Sequence, residues 1–293
     1  MCTAITLTTK DHYFGRNLDL EYSYNESITI TPRNFPFVFR QKDTIFSHYA
    51  IIGTAFVQDN YPLYYDATNE KGLSMAGLNF PENAYYFPAK EGMDNITPYE
   101  FIPWILGQCA SVDEARPYLA RLNLLNKSFS DALPLSPLHW IIADKKEVLV
   151  VESLKDGLHI HENPVGVLTN NPPFGMQLTH LDASKELPGD WSSEARFVRA
   201  AFVKQNSICA TSESESVNQF FHLLGSVAFW RGCCIRNGKP MITVYSSCCN
   251  IDKGIYYYKT YENFNITAID MHKENLDSSD LILYPQNKNG CHC

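Results

Sequence analysis

The residue in this 293-residue chain whose type and position could do chemistry is its second. Cys2 follows Met1, and residues 3–9 after it alternate as a strand does, with Ile5 and Leu7 on one face and Thr6 and Thr8 on the other. If Met1 is removed, Cys2 carries a thiol and a free α-amine together. An α-amine has an unperturbed pKa of about 7.7–8.0, so part of it can accept the thiol proton near neutrality. A thiol in turn needs only mild activation to attack a carbonyl. That is acyl-transfer chemistry. A small second residue permits loss of Met1 without requiring it, so this position alone is more readily that of an uninvolved cysteine.

The neighbourhood raises the odds. Asp11 starts a turn, and His12 to Asp19 read as the returning strand of a hairpin, which brings Arg16 and Asp19 back beside the N-terminus. With Arg196 they could form a buried charge cluster, although isolated charges are more often surface pairs. Asn79 and Asn170 each close a strand shortly before proline, where a carboxamide can point into a pocket, although spacing alone favours a turn. Other chemistries lack their residues. There is no G-x-S-x-G, no glycine-rich phosphate loop and no H-E-x-x-H, and His159 and His161 share a strand face without a ligand set. Cys233-Cys234 and Cys248-Cys249 lack the gap of zinc ligand pairs, and Cys291-His292-Cys293 sits at the terminus. No metal or cofactor is expected.

The elements that must position these residues fall into blocks. Strands are expected over 3–9, 12–19, 27–31, 49–57, 62–67 and 72–78, the last stopped at Pro81. Thr97-Pro98-Tyr99-Glu100 reads as a capping box opening a first helix, and Ser111 caps a second, shortened by Pro117. Strands resume over 138–143, 148–152, 157–161 and 165–169. Helices are then expected over 193–205 and about 214–230, and closing strands over 241–247, 254–261 and 265–269. The tail after Asn275 is polar and expected to be loose. Strands in groups separated by paired helices indicate an α+β fold, one domain over 1–293 with two stacked sheets and a helical pair on each outer face.

Nine cysteines without a signal segment argue for reduced thiols. The net charge of −8 and scattered basic residues exclude a nucleic-acid footprint, and no apolar run is long enough for a membrane span. A cytoplasmic protein with no nucleic-acid or membrane partner is the expectation.

Several segments, in order, resemble the choloylglycine hydrolases, the family of bile salt hydrolases and penicillin V acylases. They are Met1-Cys2-Thr3, Gly15-Arg16-Asn17-Leu18-Asp19-Leu20-Glu21, Thr31-Pro32-Arg33-Asn34, Asn69-Glu70-Lys71-Gly72-Leu73, Ala76-Gly77-Leu78-Asn79-Phe80-Pro81, Leu138-His139-Trp140, Gly166-Val167-Leu168-Thr169-Asn170, Leu187-Pro188-Gly189-Asp190, Arg196-Phe197-Val198-Arg199 and Gly254-Ile255-Tyr256-Tyr257-Tyr258. The likeness is strongest to the bile salt hydrolases of gut lactobacilli and clostridia. It implies the four-layer α-β-β-α sandwich of the N-terminal nucleophile hydrolases. It also implies that Cys2 is the nucleophile and its α-amine the base, with Asp19 orienting both. By the same resemblance Arg16 and Arg196 match the arginines that flank the thiol, and Asn79 and Asn170 the asparagines that bind the oxyanion and hold the terminus. Asn79, where penicillin V acylases tend to carry Tyr, tilts the implied substrate towards glycine- or taurine-conjugated bile salts. Leu18, Tyr24, Phe129 and Leu133 fall where relatives line the steroid groove, although ordinary packing explains these four as well.

The sequence departs from the family at one place. Only Gly175 to Glu186 bridges the Asn-Pro loop to Leu187, where relatives carry a few dozen residues that reach neighbouring subunits. The resemblance therefore implies a homo-oligomer, while the shortening weakens the case for the family tetramer. Hydrolysis of penicillin V or an N-acyl homoserine lactone is the alternative reaction, and a non-catalytic bile-acid-binding protein the alternative of another class.

Overall fold

The computed structural model describes residues 1–184, 186–208 and 211–286. In chain order these form β1 (Cys2–Thr8), β2 (His12–Leu20), β3 (Ser27–Thr31), β4 (Ile51–Gln58), β5 (Tyr61–Asn69), β6 (Ser74–Asn79), β7 (Asp94–Ile96), α1 (Phe101–Gln108), α2 (Val112–Ala120), β8 (Leu122–Leu124), β9 (Leu138–Ala143), β10 (Val148–Leu154), β11 (Gly157–Glu162), β12 (Val167–Leu168), α3 (Phe174–Ala183), α4 (Ser193–Gln205), α5 (Glu213–Gly225), β13 (Ile235–Arg236), β14 (Lys239–Pro240), β15 (Ile242–Asn250), β16 (Ile255–Thr260), β17 (Thr267–Asp270) and β18 (Ile282–Pro285).

The strands β12-β1-β2-β15-β16-β17 make one sheet and β11-β10-β9-β6-β5-β4-β3-β18 another. The sheets meet where β1 and β2 lie against β6. On the outer face of the larger sheet α1 packs over β4, β5 and β6, and α2 shares its apolar cluster. On the smaller sheet α4 and α5 pack over β1, with α4 also on β12 and α5 also on β2 and β15, and α3 packs on α4. This is the expected order of layers, α-β-β-α. Strand alternation decides which residues fill which layer. In β6, Ala76 and Leu78 join the core shared with β1, whereas Met75 joins the core under α1.

The hairpin of β1 and β2 pairs Cys2 with Leu18 and Ala4 with Arg16. β15 closes on its other side and sets Thr243 opposite Asp19. Gly15 is required there, because a Cβ on it would meet the Ser247 carbonyl oxygen at 2.0 Å.

Several expectations need correction. The bridge from Gly175 is largely the helix α3. It escapes a sequence reading because Pro173 caps it without a side-chain hydrogen bond and, of its residues, only Phe174 and Gln177 are buried. The tail after Asn275 is not loose throughout: Leu276 is buried and β18 pairs with β3. Thr97 and Glu100 make half a capping box. Glu100 accepts from the Thr97 N–H, but the Glu100 N–H bonds the Thr97 carbonyl and the helix starts at Phe101. The helix expected to reach Trp230 stops at Gly225, since the Phe229 N–H turns away to Thr243 Oγ1. Cys209 and the Cys291-His292-Cys293 terminus lie outside the described residues.

Candidate active site

Arg16, Asp19 and Arg196 are all fully buried. Desolvating a charge is costly unless partners offset it. The partners given to these three describe the site.

On the hairpin side, Asp19 Oδ1 accepts from Thr243 Oγ1 at 2.6 Å, and Asp19 Oδ2 is buried without a hydrogen bond. The Met1 ammonium donates to the Asp19 carbonyl at 2.5 Å, and the Asp19 N–H bonds the Met1 carbonyl at 2.8 Å. Burial pushes the Asp19 carboxyl above the usual carboxylate range, with the N-terminal ammonium, Arg196, the Thr243 hydroxyl and Arg16 opposing. Burial also lowers the Met1 ammonium. Arg16 Nη1 donates to the carbonyls of Tyr65 at 2.8 Å and Gly77 at 2.6 Å, while its Nη2 is buried with no partner. Burial pulls the Arg16 guanidinium down, but the acidic groups of Cys2, Tyr245, Asp66 and Asp19 outweigh it and raise it.

On the other side, Asn170 Oδ1 accepts from the Cys2 N–H at 2.8 Å and from Arg196 Nη2 at 2.8 Å. Asn170 Nδ2 donates to the Asn79 carbonyl at 2.6 Å. Arg196 Nη1 bonds the Cys2 carbonyl at 2.6 Å and Thr3 Oγ1 at 2.8 Å. Burial lowers the Arg196 guanidinium, with Asp19 and Cys2 pulling it up. The Asn170 carboxamide is thus engaged through both its oxygen and its nitrogen in holding Cys2, Arg196 and the end of β6. Asn79 enters these contacts through its carbonyl, so its carboxamide is not spent on them.

The structure therefore brings Cys2, Arg16, Asp19, Asn79, Asn170 and Arg196 together. Sequence reasoning missed what supports them. Ser193 Oγ takes the Asn170 N–H, and Gln177 Nε2 donates to the carbonyls of Asn170 and Pro172. His139 bonds the Thr169 carbonyl and Glu152, which also accepts from the Phe174 N–H. Burial would raise Glu152, but hydrogen bonds from His139 and His161, the charge of His139 and the Phe174 N–H bring it down to about 2.

A cavity of about 480 Å³ opens beside the site. Tyr24, Phe129 and Leu133 line it, together with Leu20, Tyr65, Gly77 and Trp140. Its lining is mainly apolar, and it adjoins the site through Tyr65 and Gly77, whose carbonyls Arg16 grips. Leu18 is the exception. It is buried in the core opposite Cys2, and Leu20, on the same strand parity but at the strand end, is the β2 leucine on the cavity wall.

The sequence model of the linear amide C–N hydrolases, choloylglycine hydrolase family, matches residues 2–186 and 183–284, two stretches that meet at the shortened bridge. The chain is 51% identical over 313 aligned positions to a bile salt hydrolase/transferase of Lactiplantibacillus plantarum, covering 97% of each chain. It is 40% identical to a bile salt hydrolase/transferase of Clostridium perfringens, covering 98% of each. Among solved structures, a mutant conjugated bile acid hydrolase from Clostridium perfringens superposes with a TM-score of 0.92 at 38% identity over 99% of this chain and 98% of that one. Penicillin V acylase from Agrobacterium tumefaciens shares the fold, with a TM-score of 0.81 at 19% identity over 96% of this chain and 90% of that one. The chain belongs to the choloylglycine hydrolase family, has the N-terminal nucleophile hydrolase fold, and is a hydrolase of linear amide C–N bonds.

Proposed function

We propose that this hydrolase cleaves the amide bond of glycine- or taurine-conjugated bile salts, with Cys2 as its nucleophile after loss of Met1. The observation that supports the mechanism is the convergence of Asn170 and Arg196 on the Cys2 backbone, which would hold a nucleophile at that position steady for attack. The names of its relatives and the apolar cavity beside that residue support the substrate.

With Met1 gone, the Cys2 nitrogen becomes a free amine still aimed at Asn170 Oδ1, and the unpartnered Asp19 Oδ2 becomes its second acceptor. Cys2 Sγ attacks the amide carbonyl while the amine takes the thiol proton. The carboxamide of Asn79, with Asn170 committed elsewhere, donates to the oxyanion. Collapse breaks the C–N bond, the amine returns its proton to the departing glycine or taurine, and the acyl group stays on sulfur as a thioester. Water, deprotonated by the same amine, then releases the free bile acid and restores the thiol. No step needs a cofactor. Arg16 and Arg196 supply positive charge on either side of the thiol.

The test is release of glycine or taurine from glycocholate and taurocholate by protein whose intact mass corresponds to a chain starting at Cys2. Release that vanishes in Cys2→Ser supports the reading. A verified Cys2 terminus with no release, or with turnover of penicillin V only, overturns it.

A further inference from the structure

The connection between α3 and α4 is short, yet it touches the site. Arg196 Nε donates to the Trp191 carbonyl at 3.4 Å, and the Arg196 guanidinium lies over the Phe229 ring at 5.4 Å. Phe229 in turn meets Trp191 edge-on at 5.5 Å, and Trp191 meets Trp230 at 4.5 Å. The other face of this stack belongs to a second arginine. Arg199, one helical turn after Arg196 on α4 and 9% exposed, places its guanidinium over Trp191 at 5.1 Å. Its Nη1 donates to the carbonyls of Pro188 at 2.6 Å and Asp190 at 3.1 Å. Its Nε donates to the Ser226 carbonyl just beyond α5 at 2.9 Å, and its Nη2 is buried without a partner.

We propose that Arg199 is a positioning residue: it pins the shortened connection to the end of α5 and so fixes Trp191, which aims Arg196 at Cys2 and Asn170 directly through its carbonyl and indirectly through the Phe229 ring that it packs against. A planar fork that bonds carbonyls from two segments while stacking on an indole is work that lysine does only in part. The connection that carries Trp191 is reduced to a few residues, and Arg199 clasps it from within. The proposal rests on the Cys2 amidase reading for its kinetic consequence, and its geometric consequence can be read without substrate.

The experiment compares Arg199→Gln, Arg199→Lys and Trp191→Leu with the unaltered enzyme. The readouts are kcat and KM on taurocholate, the rate of Cys2 alkylation by iodoacetamide resolved by peptide mass spectrometry from Cys233 and Cys234, and the melting temperature. Arg199→Gln lowers kcat by about tenfold or more and slows Cys2 alkylation, with KM moved less than about threefold. Arg199→Lys recovers part of both, and Trp191→Leu reproduces the loss. A lower melting temperature with kcat per folded enzyme and alkylation unchanged overturns the proposal and leaves Arg199 a role in folding only. If Arg199→Gln fails to fold, the same two readouts on Trp191→Leu and Arg199→Lys decide, and unchanged values overturn it. If the unaltered enzyme releases no amine from any conjugate, the parent reading fails. Slowed alkylation in the variants would still support Arg199, and unslowed alkylation would still remove it.

Discussion

Cys2 is held on two flanks, and the means differ. On the flank of β2 and β15 the work is done by backbone ladders: Cys2 sits opposite Leu18, and Thr243 sits opposite Asp19. On the flank of β12 the ladder stops at Leu168, two residues short of Asn170. From there side chains take over. His139 holds the Thr169 carbonyl, Ser193 the Asn170 N–H, Gln177 the Asn170 carbonyl, and Arg196 the Asn170 carboxamide. A ladder places a residue by many bonds whose donors and acceptors belong to every amino acid. A side-chain scaffold depends on each residue being the right one. Single substitutions should therefore cost more on the Asn170 flank than on the Asp19 flank.

The largest expected effect follows directly. Asn170→Ala removes the acceptor of both the Cys2 N–H and Arg196 Nη2, and the tie to β6 as well. With the nucleophile and its guanidinium both released, kcat should fall by about 10²-fold or more, since misplacement by an ångström has that cost. Steady-state kinetics on glycocholate check it, and a loss confined to KM would mean that Asn170 serves binding instead.

Next comes Glu152→Gln, which acts on the same flank from beneath. The folded carboxyl sits at about 2 against an ordinary value of 4.5. Because the folded value is the lower one, the stabilisation is complete above about pH 4.5 and is lost as the pH falls towards 2. The shift corresponds to about 3 kcal/mol at neutral pH. Urea unfolding should show Glu152→Gln less stable than the unaltered chain by about that much at pH 7, with the gap closing on acidification. A gap independent of pH would assign the effect to packing rather than to the carboxylate.

Thr243→Val tests the ladder-built flank. It deletes the hydroxyl that donates to Asp19 Oδ1 and accepts from the Phe229 N–H, but leaves the β2–β15 pairing in place. A hydrogen bond to a charged group is worth about 1.5–3 kcal/mol, so a drop of about tenfold in kcat is expected, restored by Thr243→Ser. A loss as deep as that of Asn170→Ala would dissolve the contrast between the flanks.

The same contrast governs what could be read from sequence. Arg16 and Asp19 are legible as neighbours of Cys2 because a hairpin fixes them locally, a few residues from the turn at Asp11. Asn170 lies 168 residues from the N–H it accepts; its place at a strand end before proline marked it no more strongly than a turn would, and its likeness to a family motif gave it a role. Thr243 carries no motif; its role exists once β15 is known to close on β2 in one register. Gln177 was hidden with α3, whose start has no side-chain cap. Leu18 failed for a subtler reason. Alternation puts Leu18 and Leu20 on one face, but not where along that face the core ends and the cavity begins.

The smallest effect is expected farthest from both flanks, at Tyr24, which lines the cavity yet stays 44% exposed. Its ring rests against Tyr22 with centroids 4.9 Å apart, and neither ring is part of the buried core. Truncation therefore leaves no internal void and should hardly change the melting temperature. What it removes is apolar surface at the cavity mouth, available equally to bound substrate and transition state. That is uniform binding: Tyr24→Ala should raise KM for a cholyl conjugate by about threefold with kcat nearly unchanged. A short-chain acyl amide, which would not reach the mouth, should be hydrolysed as before. A fall in kcat on both substrates would mean that the β2 end communicates with Asp19, and would place Tyr24 in the ladder-built flank rather than on the cavity rim.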